Sequence, residues 1–116
     1  MGRPWFHWQV RDREAADARL NSTCNGTFLI RPSYTNPVDF PFTLSVKLND
    51  HVEHIRIMRN SKAGEQVFRV EYDKTILMFG NFDDFIRSQQ PGTIQNKLNL
   101  FFPCDISIKP PPYRGY

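Results

Sequence analysis

Several kinds of sequence are missing from this chain, and each absence sets aside a class of protein. No uninterrupted apolar run approaches the roughly 20 residues that a membrane-crossing helix needs. The opening Met1-Gly2-Arg3-Pro4-Trp5 has no apolar stretch of the kind that marks a secretory signal. Phe6 stands where a myristoylation signal requires Ser or Thr. Cysteine is scarce: Cys24 and Cys104 lie far apart with no CxxC. Such a pair reads as two reduced thiols of a cytosolic protein, with the single disulfide of a secreted domain as the competing possibility. His7, His51 and His54 lack partners at metal-ligand spacing, so neither a metal nor another cofactor is expected. No block of consecutive Lys and Arg marks a nucleic-acid footprint, and no internal repeat is visible. Asn21-Ser22-Thr23 and Asn25-Gly26-Thr27 match the glycosylation sequon, but without a secretory signal they read as chance matches in a polar turn. The expectation is a soluble, cytoplasmic protein.

What is present is a chain of 116 residues, the size of one domain. Phenylalanine is abundant, with ten copies, and predicts a small core filled by a few large rings. A net charge of +3 mildly favours an anionic partner, without separating a phosphate on a peptide from a phosphate on a polymer. The one biased segment is the tail Lys109-Pro110-Pro111-Pro112-Tyr113-Arg114-Gly115-Tyr116. Its prolines exclude helix and central strand, so the domain is expected over residues 4–108, with a proline-rich linker over 109–116.

The pattern predicts helix from about Asp12, an N-cap with Glu14 in the first turn, and Ala16 and Leu20 on one face. Turn formers from Asn21 to Gly26 stop it. Thr27–Arg31 is a short apolar run that reads as a central strand buried on both faces. Phe42–Val46 and Val52–Met58 alternate apolar and polar, joined by the turn signal Asn49-Asp50. After a turn at Ser61–Gly64, Val67–Val70 and Ile76–Phe79 read as a second, smaller set of strands. Asn81 caps another helix, with Asp83 and Asp84 in its first turn, and Pro91-Gly92 ends it. The order predicts an α+β fold, a central antiparallel sheet flanked by two helices on opposite faces.

Arg31 is the oddest residue of this pattern, because a charged side chain at the end of a buried strand needs a partner. A guanidinium offers two parallel donors to a phosphate or carboxylate. Ser33 follows on the same strand face, with the amides of Tyr34 and Thr35 beyond it. On the next strands Thr43, His54 and Arg56 are the polar residues expected to face the same pocket. Arginines, hydroxyls and a histidine converging at one sheet end suit a dianion. The plainer reading is an arginine that reaches solvent or pairs with a core carboxylate.

Pro4-Trp5-Phe6-His7, Arg13-Glu14-Ala15-Ala16, Gly26–Arg31 and Val52–Ile57 fall in the order and spacing of SH2 domains, and the chain resembles that family from about Trp5 to Pro103. Ser45–Asp50 with Val52–Ile55, and Lys97–Pro103, are most similar to the Vav-type guanine-nucleotide exchange factors; Pro4–His7 and Val52–Met58 also resemble Csk-type kinases. The resemblance implies the SH2 fold and a non-catalytic module that binds phosphotyrosine peptides. Arg31 is then the arginine that grips the phosphate. Ser33 is its neighbouring hydroxyl, Tyr34 and Thr35 lie in the phosphate loop, and His54 supports the site. Arg56 packs beside the phosphotyrosine ring. The helix arginine of the family falls on Arg13 when counted back from Arg31 and on Asp12 when counted forward from Trp5. Ile55 corresponds to the position whose apolar character favours hydrophobic residues first and third after the phosphotyrosine, with plain sheet packing as the alternative. Asp73, Lys74 and Thr75 on one side, and Pro91 and Gly92 within Gln89–Ile94 on the other, would wall that pocket. Pro32 replaces an acidic residue, which costs a ladder amide and suggests an edge or bulge there, and Ser88-Gln89 stands where aromatics end the second helix.

Three other readings compete with this one. An enzyme lacks a nucleophile context around Cys24, Cys104 or any serine. A nucleic-acid binder would use the same charge and aromatics, but these fall at core-periodic positions. An SH2-like scaffold without phosphate binding is favoured by Asp12 and Pro32. The tail Pro110-Pro111-Pro112-Tyr113 matches the PPxY pattern of WW ligands and also suits SH3 domains. The expected partners are thus tyrosine-phosphorylated proteins, with a monomeric module recruited to membranes through them and no direct insertion.

Overall fold

A computed structural model describes residues 5–33, 37–59, 67–90, 92–93, 96–100 and 102–104. Tyr34, Thr35, Pro91, the turn at 61–64 and the tail at 109–116 lie outside these. In chain order the elements are α1 (Arg13–Leu20), β1 (Thr27–Pro32), β2 (Phe42–Leu48), β3 (His51–Arg59), β4 (Phe68–Tyr72), β5 (Thr75–Phe79), α2 (Phe82–Ser88) and β6 (Phe102–Pro103).

Both helices start as their caps dictate. The Asp12 carboxylate accepts from the Ala15 amide at 2.8 Å, and Asn81 accepts from the Asp84 amide at 2.8 Å, each satisfying an amide that has no partner within the helix. The strands form one sheet in the order β5-β4-β3-β2-β1-β6, antiparallel from β1 to β5, with β6 parallel to β1. The second set of strands is therefore not a separate sheet; it continues the first through Ile57–Val70, Met58–Arg69 and Arg59–Phe68. Two hairpins turn on residue pairs with positive φ, Asn49 and Asp50 (50° and 68°) and Asp73 and Lys74 (49° and 64°). That geometry follows the twist of antiparallel strands. It is tolerated by Asn and Asp, and less readily by Lys.

Pro32 is not a bulge. It pairs regularly with Phe42, and Ser33 continues the ladder by donating to the Pro41 carbonyl at 3.0 Å. The amide and carbonyl of Ile30 both turn away from β2, to Trp5 and His7, at 2.7 and 2.9 Å. By alternation the nitrogen of Pro32 turns the same way, so its missing hydrogen costs no bond to β2.

Cross-strand partners share a face, so the register divides the sheet. Phe28, Ile30, Leu44, Val46, Ile55, Ile57 and Val70 point to α2, where Phe85, Ile86, Leu98 and Leu100 close the main core. The predicted ring-filled core is found there: Phe79 stacks on Phe85 with centroids 4.3 Å apart, and Phe42 meets Phe82 edge-on at 5.3 Å. The opposite face carries a small apolar cluster of Leu20, Leu29 and Cys104, and beyond it the buried polar residues Arg31, Thr43, Ser45 and Lys47. Cys24 is exposed, Cys104 is buried, and the two are not joined.

One buried polar side chain holds the main core shut. Gln89 is fully buried; its Oε1 accepts from the amides of Lys97 at 2.7 Å and Leu98 at 3.2 Å, and its own carbonyl accepts from Leu100 at 2.8 Å. Gln89→Ala leaves two amides without their acceptor and is expected to lower the unfolding free energy by roughly 2–3 kcal/mol. Urea denaturation showing a loss below about 0.5 kcal/mol would contradict this role.

Candidate functional site

The polar face gathers its charged groups beneath α1. Arg31, near the end of β1, is only 7% exposed, and its Nε donates to Ser45 Oγ at 3.3 Å. Thr43 sits directly opposite Arg31 on β2 and shares a hydrogen bond of 2.7 Å with Ser33. His54 faces Ser45 across the β2–β3 ladder, with its Nδ1 2.9 Å from Ser45 Oγ and its Nε2 2.8 Å from Asp17 Oδ1 on α1. Arg56 pairs with Thr43, is exposed, and holds its guanidinium 5.2 Å above the centre of the Phe40 ring.

These bonds have one self-consistent direction when the imidazole is neutral. A carboxylate only accepts, so His54 Nε2 carries the hydrogen toward Asp17; Nδ1 then accepts from the Ser45 hydroxyl, whose oxygen accepts from Arg31. Nε is thus used for anchoring, and neither terminal nitrogen of Arg31 has a hydrogen-bond partner among the described residues. Burial lowers the pKa of Arg31; the charges of Asp12 and Asp17 oppose that effect and the charge of Arg13 adds to it. Burial likewise lowers the pKa of His54, opposed by its bond to Asp17 and reinforced by Arg31 and Arg13.

Arg31, Ser33, Thr43, His54 and Arg56 thus come together on one face. Arg13, the first residue of α1, is close enough for its charge to act on both Arg31 and His54. Asp12 also acts on Arg31, but one of its oxygens is committed to the helix cap. Tyr34 and Thr35 are outside the described residues. Sequence reasoning missed Ser45 and Asp17. Ser45 carried a signal, being a polar residue on the Thr43 face of a strand; Asp17 carried none beyond being one acid of a polar helix.

The residues proposed to read the peptide are more scattered. Ile55 packs in the main core, 6% exposed, and also lines an open groove of about 460 Å³ between β3 and β4 with Phe40, His54, Arg56 and Tyr72. This groove exists because β3 pairs with β4 only from Ile57 onward. Thr75 lines a second groove of about 500 Å³ with Leu77, Phe85, Ser88 and Lys97. Asp73 and Lys74 form the exposed turn between β4 and β5, and Gly92 takes φ +93° just after α2. Pro91 is outside the described residues.

The lowered pKa of His54 links stability to pH. An unfolded histidine near pKa 6.5 binds protons that the folded one refuses, so its contribution is full above that value and is lost as the pH falls through the folded pKa. In phosphate-free buffer the unfolding free energy is expected to fall more steeply below about pH 6.5 in the native chain than in His54→Gln. Parallel curves for the two in chemical denaturation would refute the assignment.

Comparison with known proteins follows the same lines. The family model for the SH2 domain matches residues 5–87. A dual specificity protein kinase of Dictyostelium discoideum, shkE, is 27% identical over 94% of this chain, which covers 16% of that kinase. A second, shkD, is 43% identical over 54% of the chain and is covered to 8%, so the chain spans only a small part of the curated relatives it matches. The solution structure of the SH2 domain of a CRK/CRKL homolog from Monosiga brevicollis superposes with a TM-score of 0.65 at 26% identity, covering 90% of this chain and 89% of that one. The SH2 domain of human VAV1 superposes at 0.62 and 24% identity, covering 87% and 70%, which bears out the Vav-type likeness at the level of the fold. Family model, sheet order and the buried strand arginine agree: the chain belongs to the SH2 domain family, non-catalytic modules that generally bind phosphotyrosine peptides in signalling.

Proposed function

We propose that this domain binds phosphotyrosine peptides through Arg31, and recruits a larger signalling protein to tyrosine-phosphorylated receptors or adaptors. The observation that carries the reading is the state of Arg31. A guanidinium 7% exposed, with Nε tied to Ser45 and both terminal nitrogens unbonded among the described residues, suits bidentate capture of a phosphate. Ser33, Thr43 and the Arg13 charge supply the further donors and positive field that a dianion needs.

The groove lined by Ile55 begins beside His54 and Arg56 and offers a peptide leaving the phosphate site the apolar and aromatic Ile55, Met58, Phe40 and Tyr72 among the charged Glu53, Arg69 and Glu71. This supports a preference for a hydrophobic residue directly after the phosphotyrosine. The groove bordered by Thr75, Leu77 and Ser88 supports a second such preference at the third position. We further propose a cytoplasmic, monomeric module, whose Pro110–Tyr113 segment is a ligand for WW or SH3 domains. The charges of Asp12 and Asp17 beside Arg31 favour one other reading, a docking scaffold that no longer takes phosphate.

Titration calorimetry separates the two. A peptide with hydrophobic residues at the first and third positions is expected to bind with micromolar affinity only when phosphorylated, and Arg31→Met is expected to abolish binding. Because Arg31 is a buried charge without an ion pair among the described residues, the same variant should melt no lower than the native chain; a drop beyond roughly 4 °C would mean that its loss acts through the fold. Exchanging the two hydrophobic residues for acids should weaken binding to the native domain and matter less in Ile55→Thr. Equal binding of the tyrosine and phosphotyrosine forms would establish the scaffold.

A further inference from the structure

The hydrogen bonds from Arg31 to Ser45, His54 and Asp17 make a continuous path from the phosphate site to the exposed side of α1. Its two ends differ in a way that matters. The His54 side chain is 8% exposed, whereas Asp17 is 42% exposed and is the only carboxylate among the described residues bonded to the ring. We propose that Asp17 is a positioning residue of the phosphate site, fixing the His54 tautomer that orients Ser45 and Arg31, and that binding of a phosphotyrosine dianion draws one proton from solvent onto His54. The proposal rests on the phosphotyrosine reading given above.

The driving force comes from the balance of charges around the ring. His54 faces Arg31 from β1 and Arg13 from α1, both cationic, and is buried; all three disfavour the imidazolium. Only Asp17 favours it. The groove that His54 also lines carries Glu53, Arg56, Arg69, Glu71 and Tyr72, with Arg69 and Glu71 paired at 2.6 Å and Glu53 paired with His51 at 3.0 Å. Lys47, on the same sheet face, is engaged with the Asn21 carbonyl at 2.6 Å. A phosphate dianion on Arg31 and Arg13 cancels the two opposing charges and leaves Asp17 in command. A buffer acid, acting through solvent, then gives a proton to the Nδ1 lone pair and is left as its conjugate base. Nδ1–H donates to Ser45 Oγ, and the Ser45 hydroxyl hydrogen, displaced from Nδ1, turns to the anion. Ser45 Oγ still accepts from Arg31, so no bond that holds the guanidinium is lost.

Calorimetry at neutral pH in phosphate-free buffers of low and high ionisation enthalpy counts the protons. A peptide bearing the difluoromethylene phosphonate of phosphotyrosine, a dianion throughout the range, keeps the ligand's own titration out of the count. The native domain is expected to take up a substantial fraction of a proton, and affinity to rise roughly threefold per unit of falling pH at half a proton taken up. His54→Asn should take up none, and Asp17→Asn, which keeps an acceptor for Nε2–H but not the charge, less than half the native amount. In the free chain, ring nitrogen shifts should show the Nε2–H tautomer, and Asp17→Ala should mix the tautomers. Tight phosphate-dependent binding with equal proton uptake in the native domain and His54→Asn overturns the inference and leaves the phosphotyrosine reading standing. Absence of any phosphate-dependent binding overturns the reading itself, and the proton linkage with it.

Discussion

A cation held out of water must be given acceptors and countercharges, and the α1 face of this domain is organised around that requirement at Arg31. Burial opposes the guanidinium charge, yet its neighbours are a hydroxyl, a neutral imidazole and two acids set back at α1, with no ion-pair partner in contact among the described residues. The guanidinium is thus anchored without its charge being neutralised by direct contact among the described residues. Fold stability is supplied elsewhere, by the rings and aliphatic side chains between the sheet and α2.

That division of labour follows from the period of a strand. Along β3, Ile55 and Ile57 look into the core while His54 and Arg56 look to the α1 face, one residue out of step. A slip of one residue would exchange the two sets, so the apolar core fixes the register and the register places the chemistry. The Asn49-Asp50 turn at the head of β3 sets the same alignment locally, with Leu48 opposite His51.

Much of this was legible because the signals are local. Alternation marked β2 and β3, Asp12 and Asn81 marked the helix starts, and Arg31 stood out as a charge on an apolar strand. What was not legible depends on contacts between distant segments. Asp17 and His54 are 37 positions apart, and nothing in a short polar helix says which acid will reach the sheet. The continuation of the sheet into β4 rests on three residue pairs beyond an intervening stretch whose composition does not encode pairing. Pro32 misled for a related reason. Its cost depends on which way its nitrogen points, and that is set by Trp5 and His7 lying along Ile30, not by its neighbours in sequence.

Gln89 has a consequence for how such a domain can diversify. Its side chain and carbonyl fasten Lys97, Leu98 and Leu100 to the end of α2, and the Thr93 hydroxyl donates to the Ser88 carbonyl at 2.7 Å on the near side. The connection after α2 is anchored at both ends independently of what lies between. Its length and composition can drift, or be exchanged for a segment from another source, with the framework left in register. A clamp of this kind turns one connection into a cassette, where new recognition can be tried without refolding the rest.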